Sequence, residues 1–294
     1  MKSDPQVIVV VGPTASGKSD FAVQIAHDLS RVGRGSEIIS ADSRQVYKGL
    51  DIGTGKITEE EMKGVPHHML SIYELGEELS VARFARDATP ILEDILKRNK
   101  TPIICGGTGQ YIDALIFDTN IPSVPPNKSL REELEKLPTE ELVARLSARD
   151  RERLASIDHN NRPRLIRALE VVEALGKVPT LNSPKLKYKT KIYLMAPSRK
   201  LLRERITNRL EKRLKVRMID EVKDVISRLN HLGRSSVVMK RFGLEYAAIT
   251  KFLNKEITEE QMKQEIITKS CQYAKRQETW NKKYLPIAEI VEIK

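Results

Sequence analysis

The sequence predicts an α/β fold in which a parallel five-stranded sheet is flanked by helices and interrupted by an inserted helical lobe. Three observations carry that reading. Five short β-branched runs alternate with amphipathic helical stretches, a glycine-rich loop follows the first run directly, and 85 residues separate the third run from the fourth. Strands that alternate with helices favour a parallel sheet covered on both faces, whose ligands sit beyond the carboxyl ends of the strands.

The runs are Val7 to Val11, Glu37 to Ser40, Pro102 to Cys105, Lys191 to Met195 and Glu289 to Ile293. Each has the length and side-chain type of a buried strand. The gap of 85 residues is far longer than one crossover helix needs, and it opens with a Pro-rich segment at 121–126. Helices are predicted there over 129–136, 139–148 and 162–175, the last stopped by Gly176. The expected division is a core of 1–118 with 190–294 and an inserted lobe of 119–189.

Directly after the first run stands Gly12-Pro13-Thr14-Ala15-Ser16-Gly17-Lys18-Ser19, a full match to the P-loop pattern between a strand and a helix. Glycines at that spacing let successive backbone N–H groups curl round phosphate oxygens, and the following helix adds the positive end of its dipole. Lys18 contributes a full charge, and the Ser19 hydroxyl is placed to hold Mg²⁺. The core is therefore expected to be P-loop NTPase-like. The motif alone specifies a polyphosphate, because a nucleotide and a prenyl diphosphate offer the same kind of anion.

After the second run comes Asp42-Ser43-Arg44-Gln45, leading into a basic, glycine-bearing stretch that ends at Lys56. A carboxylate at that strand end either faces the phosphate site, as a base or a Mg²⁺ partner, or caps the structure that follows. The third run is followed by Gly106-Gly107-Thr108-Gly109-Gln110-Tyr111. Such glycines allow close approach of a ligand to the backbone, with Thr108 supplying a hydroxyl, or else build a tight strand-to-helix turn.

Charge separates along the chain. The formal net charge is +11, and the surplus is −4 over 1–118, +4 over 119–189 and +11 over 190–294. A basic rear behind an acidic front fits a large bound anion, nucleic acid first, or a solvated basic surface. Arg205, Arg209, Arg213 and Arg217 form an i, i+4 stripe with no acidic residue four positions before any of them, so a polyanion or solvent must compensate it. Met1 to Gln6 carries no cationic-then-apolar pattern, and no apolar run approaches the ~20 residues that span a bilayer, so a cytoplasmic protein without a membrane partner is expected. Cys105 and Cys271 are far apart and outside any Cys-x-x-Cys pair, which argues against a disulfide framework or a zinc site.

The elements GPTASGKS, DSRQVYKGLDIGTGK and GGTGQY together resemble the bacterial tRNA dimethylallyltransferase family, also called tRNA isopentenyltransferase. The family's last motif is present as Tyr273-Ala-Lys-Arg-Gln-Glu-Thr-Trp280, and a version of its arginine helix as Arg164-Leu-Ile-Arg-Ala-Leu-Glu170. The similarity spans almost the whole chain in the expected order. It implies transfer of a dimethylallyl group from dimethylallyl diphosphate to the N6 amine of adenosine 37 beside the tRNA anticodon, with Mg²⁺ as cofactor.

The same resemblance implies roles for residues. Thr14 to Ser19 surround the diphosphate, Asp42 matches the general base, and Asp42 to Gln45 match the segment that approaches the tRNA. Thr108 matches a position beside the adenine, and Arg131, Arg164, Arg167, Lys240 and Arg241 match tRNA-contacting stretches of an anticodon stem-loop partner. Arg209, or Arg205 one turn earlier, is the arginine expected to reach the diphosphate. Two departures stand out: family members often have Gln where Pro163 stands, and usually Met and Gly where Arg213 and Arg217 stand. His67 and His68 match a family pair and are expected to pack near the site entrance, while Tyr273 and Trp280 either stack on a base or join the core. A monomer is expected. The competing assignments are a small-molecule P-loop kinase, which would move phosphate from ATP, and a non-catalytic RNA-binding GTPase or ATPase.

Overall fold

The computed structural model describes residues 6–118, 122, 124–179, 185–233, 239 and 241–293. The chain forms two compact units, one of Met1–Ile116 with Leu186–Lys294 and one of Phe117–Lys185.

In chain order the elements are β1 (Val7–Val11), α1 (Lys18–Arg31), β2 (Ser36–Ser40), α2 (Glu59–Met62), β3 (His67–His68), α3 (Val81–Lys97), β4 (Thr101–Gly106) and α4 (Gly109–Ile116). The second unit supplies α5 (Lys128–Glu135), α6 (Thr139–Arg149), α7 (Arg151–Ala155) and α8 (Arg162–Leu175). The chain then returns to the first with β5 (Thr190–Pro197), α9 (Arg199–Lys215), α10 (Met218–His231), α11 (Leu244–Leu253), α12 (Glu259–Asn281) and β6 (Ala288–Ile293).

The strands lie in the order β3-β2-β4-β1-β5-β6, all parallel, in the P-loop NTPase-like arrangement. Among the described residues there are six strands rather than the five expected. The extra one, β3, is two histidines long and shows no periodicity; it exists because its backbone pairs with Ile38 and Ile39 of β2. All of β1 is buried, and Ala22, Val23 and Ala26 of α1 pack on Ile8, Val10, Ile38 and Ile103. A second cluster joins α10, α11 and α12 to the segment after β2 through Val222, Tyr246, Met262, Val46 and Leu50. Burying each such side chain contributes roughly 1.5–3 kcal/mol relative to exposure.

Two of these packing decisions place the site. The P-loop, the 41–45 turn and the Gly107–Thr108 turn leave the carboxyl ends of β1, β2 and β4, three neighbouring strands. The second cluster then fixes α9 and α12, the helices whose side chains reach those loops. Among the described residues no helix is long and apolar enough to cross a membrane.

The second unit is a small helical lobe around Leu134, Leu142, Leu146, Leu165 and Leu169. Its helices begin on side-chain caps: Asn127 accepts from Leu130 N–H at 3.1 Å, Asp150 from Arg153 N–H at 2.9 Å and Asn161 from Arg164 N–H at 3.2 Å. Gly176, at φ 78°, closes α8 as expected. The helix α7, five residues capped by Asp150, was too short to read from the sequence. Of the Pro-rich segment, residues 121 and 123 lie outside the described residues.

Candidate active site

The P-loop opens on a cavity of about 1130 Å³ in the first unit. Gly17 sits at φ 85°, a left-handed conformation that lets the loop turn into α1. Lys18 Nζ donates to Pro13 O at 2.6 Å, which folds the side chain back along the loop. Burial lowers the Lys18 pKa to about 8; nearby Arg209 pushes the same way, against the pull of Cys105 and Asp42. Ser19 lines the cavity.

The α9 arginines face this loop. Arg209 Nη2 donates to Thr14 Oγ1 at 2.8 Å and Arg205 Nη1 to Ser16 O at 3.4 Å, so both reach the cradle. Arg213 Nη1 donates to Gly53 O at 3.3 Å, and its side chain lies over Gly55, where any Cβ would collide with the guanidinium. Burial, then the neighbouring Arg213, lowers the Arg209 pKa to about 10. These cations are held by neutral oxygens, with Glu245 at 3.8 Å from Arg213 the one carboxylate paired with any of the three among the described residues. The arrangement favours an anion in the cavity.

Asp42 lines the same cavity. Its Oδ1 accepts from Arg44 N–H at 2.8 Å and Gln45 N–H at 3.3 Å, so it caps a turn, and among the described residues nothing bonds Oδ2. Thr108 ties this turn to β4: its N–H donates to Ala41 O at 3.1 Å and its Oγ1 accepts from Ser43 N–H at 3.1 Å. Asp42 thus caps its turn and also lines the cavity on which the P-loop opens.

A model of the IPP transferase family matches residues 45–284. The chain belongs to the IPP transferase family. It is 38% identical over 291 residues to a tRNA dimethylallyltransferase of Caldanaerobacter subterraneus subsp. tengcongensis, covering 95% of this chain and 89% of that protein. With the tRNA dimethylallyltransferase of Anoxybacillus flavithermus it shares 39% over 289 residues, covering 96% and 89%. Among solved structures, the full-length tRNA isopentenylpyrophosphate transferase of Bacillus halodurans superposes with a TM-score of 0.69 at 33% identity, covering 98% of this chain and 90% of that one. A eukaryotic dimethylallyltransferase shares the fold, with a TM-score of 0.83 at 23% identity, over 98% of this chain and 74% of that one.

Within this IPP transferase family chain the remaining candidates separate by place. Gln45 Nε2 donates to Gly55 O at 3.1 Å at the cavity wall, and Arg44 Nη1 donates to Ser43 O at 3.4 Å. His67 lines the cavity with Nδ1 2.8 Å from Val65 O, and burial lowers its pKa. His68 Nε2 lies 2.8 Å from Oε2 of buried Glu37, which also takes Arg98 and Lys100. Tyr273 lines the cavity, whereas Trp280 packs on Gly109 beneath Lys283. Arg241 lies outside the cavity, with Nη2 donating to Glu77 O at 3.4 Å. Lys240 lies outside the described residues.

In the lobe, Arg131 and Arg167 converge on Glu170, whose side chain is fully buried. Glu170 accepts Arg131 Nε at 2.7 Å and Nη2 at 2.8 Å, Arg167 Nη1 at 3.5 Å and Asn127 N–H at 2.8 Å. Burial pushes its carboxyl up, and the hydrogen bonds from Arg131 and Asn127 outweigh this and hold it below the ordinary range. Arg164 is exposed on the first turn of α8.

One expectation is corrected. The four-arginine stripe does not run along one helix, because α9 ends at Lys215 and Arg217, at φ 74°, begins α10 and pairs with Asp220 at 3.1 Å. The other three, Arg205, Arg209 and Arg213, line the cavity. Two residues of the site escaped sequence reasoning. Glu221 of α10 accepts three successive backbone N–H groups, from Asp51, Ile52 and Gly53 at 3.0, 2.7 and 2.8 Å, and the Tyr246 hydroxyl at 2.6 Å. Gln277 of the Arg-Gln-x-Thr-Trp motif bonds both the P-loop and the Gly107 turn. Only its position inside a family motif hinted at a role.

Proposed function

We propose that the chain transfers the dimethylallyl group of dimethylallyl diphosphate to the N6 amine of adenosine 37 in tRNA, giving N6-isopentenyladenosine and diphosphate. The observation that carries this reading is one cavity lined by a cationic phosphate cradle and by a carboxylate on a separate loop. The names of the curated relatives agree with it.

Thr14 to Ser19, Lys18 and Arg209 hold the diphosphate and stabilise the negative charge that grows as the allylic C–O bond breaks. An adenine amine is a poor nucleophile and a neutral one is beyond the reach of a carboxylate base. Once the N–C bond forms, the nitrogen becomes strongly acidic, and Asp42 takes that late proton. Thr108 keeps the Asp42 turn at its distance from the cradle. For a divalent cation the donors fit: the Ser19 hydroxyl is a hard oxygen at the cavity wall, and Mg²⁺ takes few protein ligands beside substrate phosphates, which leaves the uncommitted Oδ2 of Asp42 for the proton. A Mg²⁺ ion held by the Ser19 hydroxyl would supply further positive charge to the leaving diphosphate.

On the RNA side, Asp42 to Gln45 and Thr108 meet the target nucleotide, and Arg131, Arg164 and Arg167 make the lobe a tRNA-binding unit. Lys240 and Arg241 extend the contact in the core. An anticodon loop is already unpaired, so presenting a base from it costs little. The working form is a cytoplasmic monomer.

The test is to incubate the protein with tRNA, Mg²⁺ and dimethylallyl diphosphate and to digest the RNA for mass spectrometry. An adenosine heavier by one C5H8 unit is expected; ATP-dependent phosphate transfer without that product would replace this reading by a kinase. Asp42→Asn is expected to abolish transfer with tRNA affinity nearly intact, and a variant with wild-type turnover would remove Asp42 from the chemistry.

A further inference from the structure

We propose that Gln277 is a positioning residue, which sets the spacing between the donor cradle and the loop that carries Asp42. Resting on the prenyl transfer proposed above, this assigns a task to a side chain whose amide is hydrogen-bonded to two loops.

The amide is buried on α12 and faces two loops at once. Its Oε1 accepts the Thr14 N–H at 2.7 Å, and its Nε2 donates to Gly107 O at 2.9 Å. The chain of bonds continues from Gly107 through Thr108, whose hydroxyl holds Ser43 N–H at 3.1 Å, to Asp42, whose Oδ1 holds the next two N–H groups. Thr14 is fixed on its other side by Arg209. The link runs from the P-loop at Thr14 to the turn that Asp42 caps.

The chemistry of the position is narrow. One oxygen must accept from the P-loop while the other end donates to a carbonyl, which a carboxamide does and a carboxylate cannot, since its second oxygen would face Gly107 O with no proton. Space is equally tight: a Cβ on Gly107 would lie 2.2 Å from Gln277 Nε2, so that turn is pressed against the amide. Gln277 also takes the Thr14 N–H, so Thr14 meets the diphosphate through its hydroxyl and the N–H donors come from further along the loop. Losing the amide frees two loops whose relative placement sets the line of attack, and a misplacement of about 1 Å costs on the order of 100-fold in rate.

The experiment compares wild type, Gln277→Leu and Gln277→Glu in single-turnover prenylation of tRNA, with melting temperatures measured alongside. For Gln277→Leu we expect kcat to fall about 100-fold while the donor KM and the tRNA Kd stay within about threefold. Gln277→Glu should be slow at about pH 8 and recover relative to wild type toward about pH 5.5, because the protonated acid again donates to Gly107 O and accepts from Thr14. A folded Gln277→Leu with turnover near that of wild type overturns the proposal. So does a Gln277→Glu deficit that is the same at both pH values. Hydrogen exchange at the Thr14 amide needs no turnover: it should quicken in Gln277→Leu, and unchanged exchange also overturns the link. If wild type itself makes no prenylated adenosine, the proposed function fails, and the exchange result alone judges the clamp.

Discussion

Arginines in the core and arginines in the lobe are held in opposite ways. Arg205, Arg209 and Arg213 rest mainly on neutral oxygens of Ser16, Thr14 and Gly53, so their charge waits in the cavity. Arg131 and Arg167 close on the buried carboxylate of Glu170, so much of their charge is already answered. The same residue type therefore does two jobs: preorganised electrostatics in the first unit, and architecture combined with a remaining positive surface in the second. An uncompensated buried cation is costly in the empty protein and rewarded on anion binding, whereas a paired one holds helices together whether or not a ligand is present.

The largest effect that separates the two is expected from Arg209→Met. The transfer rate should fall by about 10²–10³, with no loss of melting temperature because the removed charge had no carboxylate partner; a large drop in stability with normal turnover would reverse the assignment. Next comes Arg131→Met, which strips the bidentate partner from Glu170. Circular dichroism melts or hydrogen exchange in the lobe should report about 3 kcal/mol of destabilisation, and an unchanged lobe would mean that Arg167 and Asn127 suffice.

A third difference lies in pH dependence. Since burial places the Lys18 pKa at about 8, the free protein loses this cation as pH rises through that value. The kcat/KM for the donor, which reports ionisations of the free enzyme, should decline there rather than at the pH where an ordinary lysine titrates. The same depression destabilises the empty fold below about pH 8, where the lysine is charged, and a bound diphosphate relieves it. A donor kcat/KM that stays flat to the ordinary lysine range would show that the ammonium is better solvated than its surroundings suggest. The smallest effect is predicted for Arg164→Ala. Exposed on α8, it should lower the slope of log K against log salt for tRNA binding by about one and leave stability alone; an unaltered slope would take it off the RNA.

Much of this was legible in the chain because its signals are local. The five longer strands are β-branched runs, and the P-loop is a contiguous pattern whose spacing has a mechanical reason. What escaped depends on partners far apart in sequence or on single dihedral angles. Thr14 and Gln277 are 263 positions apart, and Arg131 and Glu170 are 39 apart, so no window shows either pair. The stripe failed at Arg217 because one left-handed residue ends a helix without disturbing the i, i+4 count. Spacing alone left its direction open, and the expectation that Arg209 or Arg205 meets the diphosphate came from the family resemblance. The pair His67–His68 became a strand only through the neighbour it lies against.

Glu221 gives the rim of the cavity a permanent guest. Three consecutive amides of the Asp51–Gly53 stretch wrap a carboxylate that belongs to the protein itself, much as they would wrap a captured anion. That wall is consequently shaped before any donor arrives, and ordering it is charged to folding instead of to affinity.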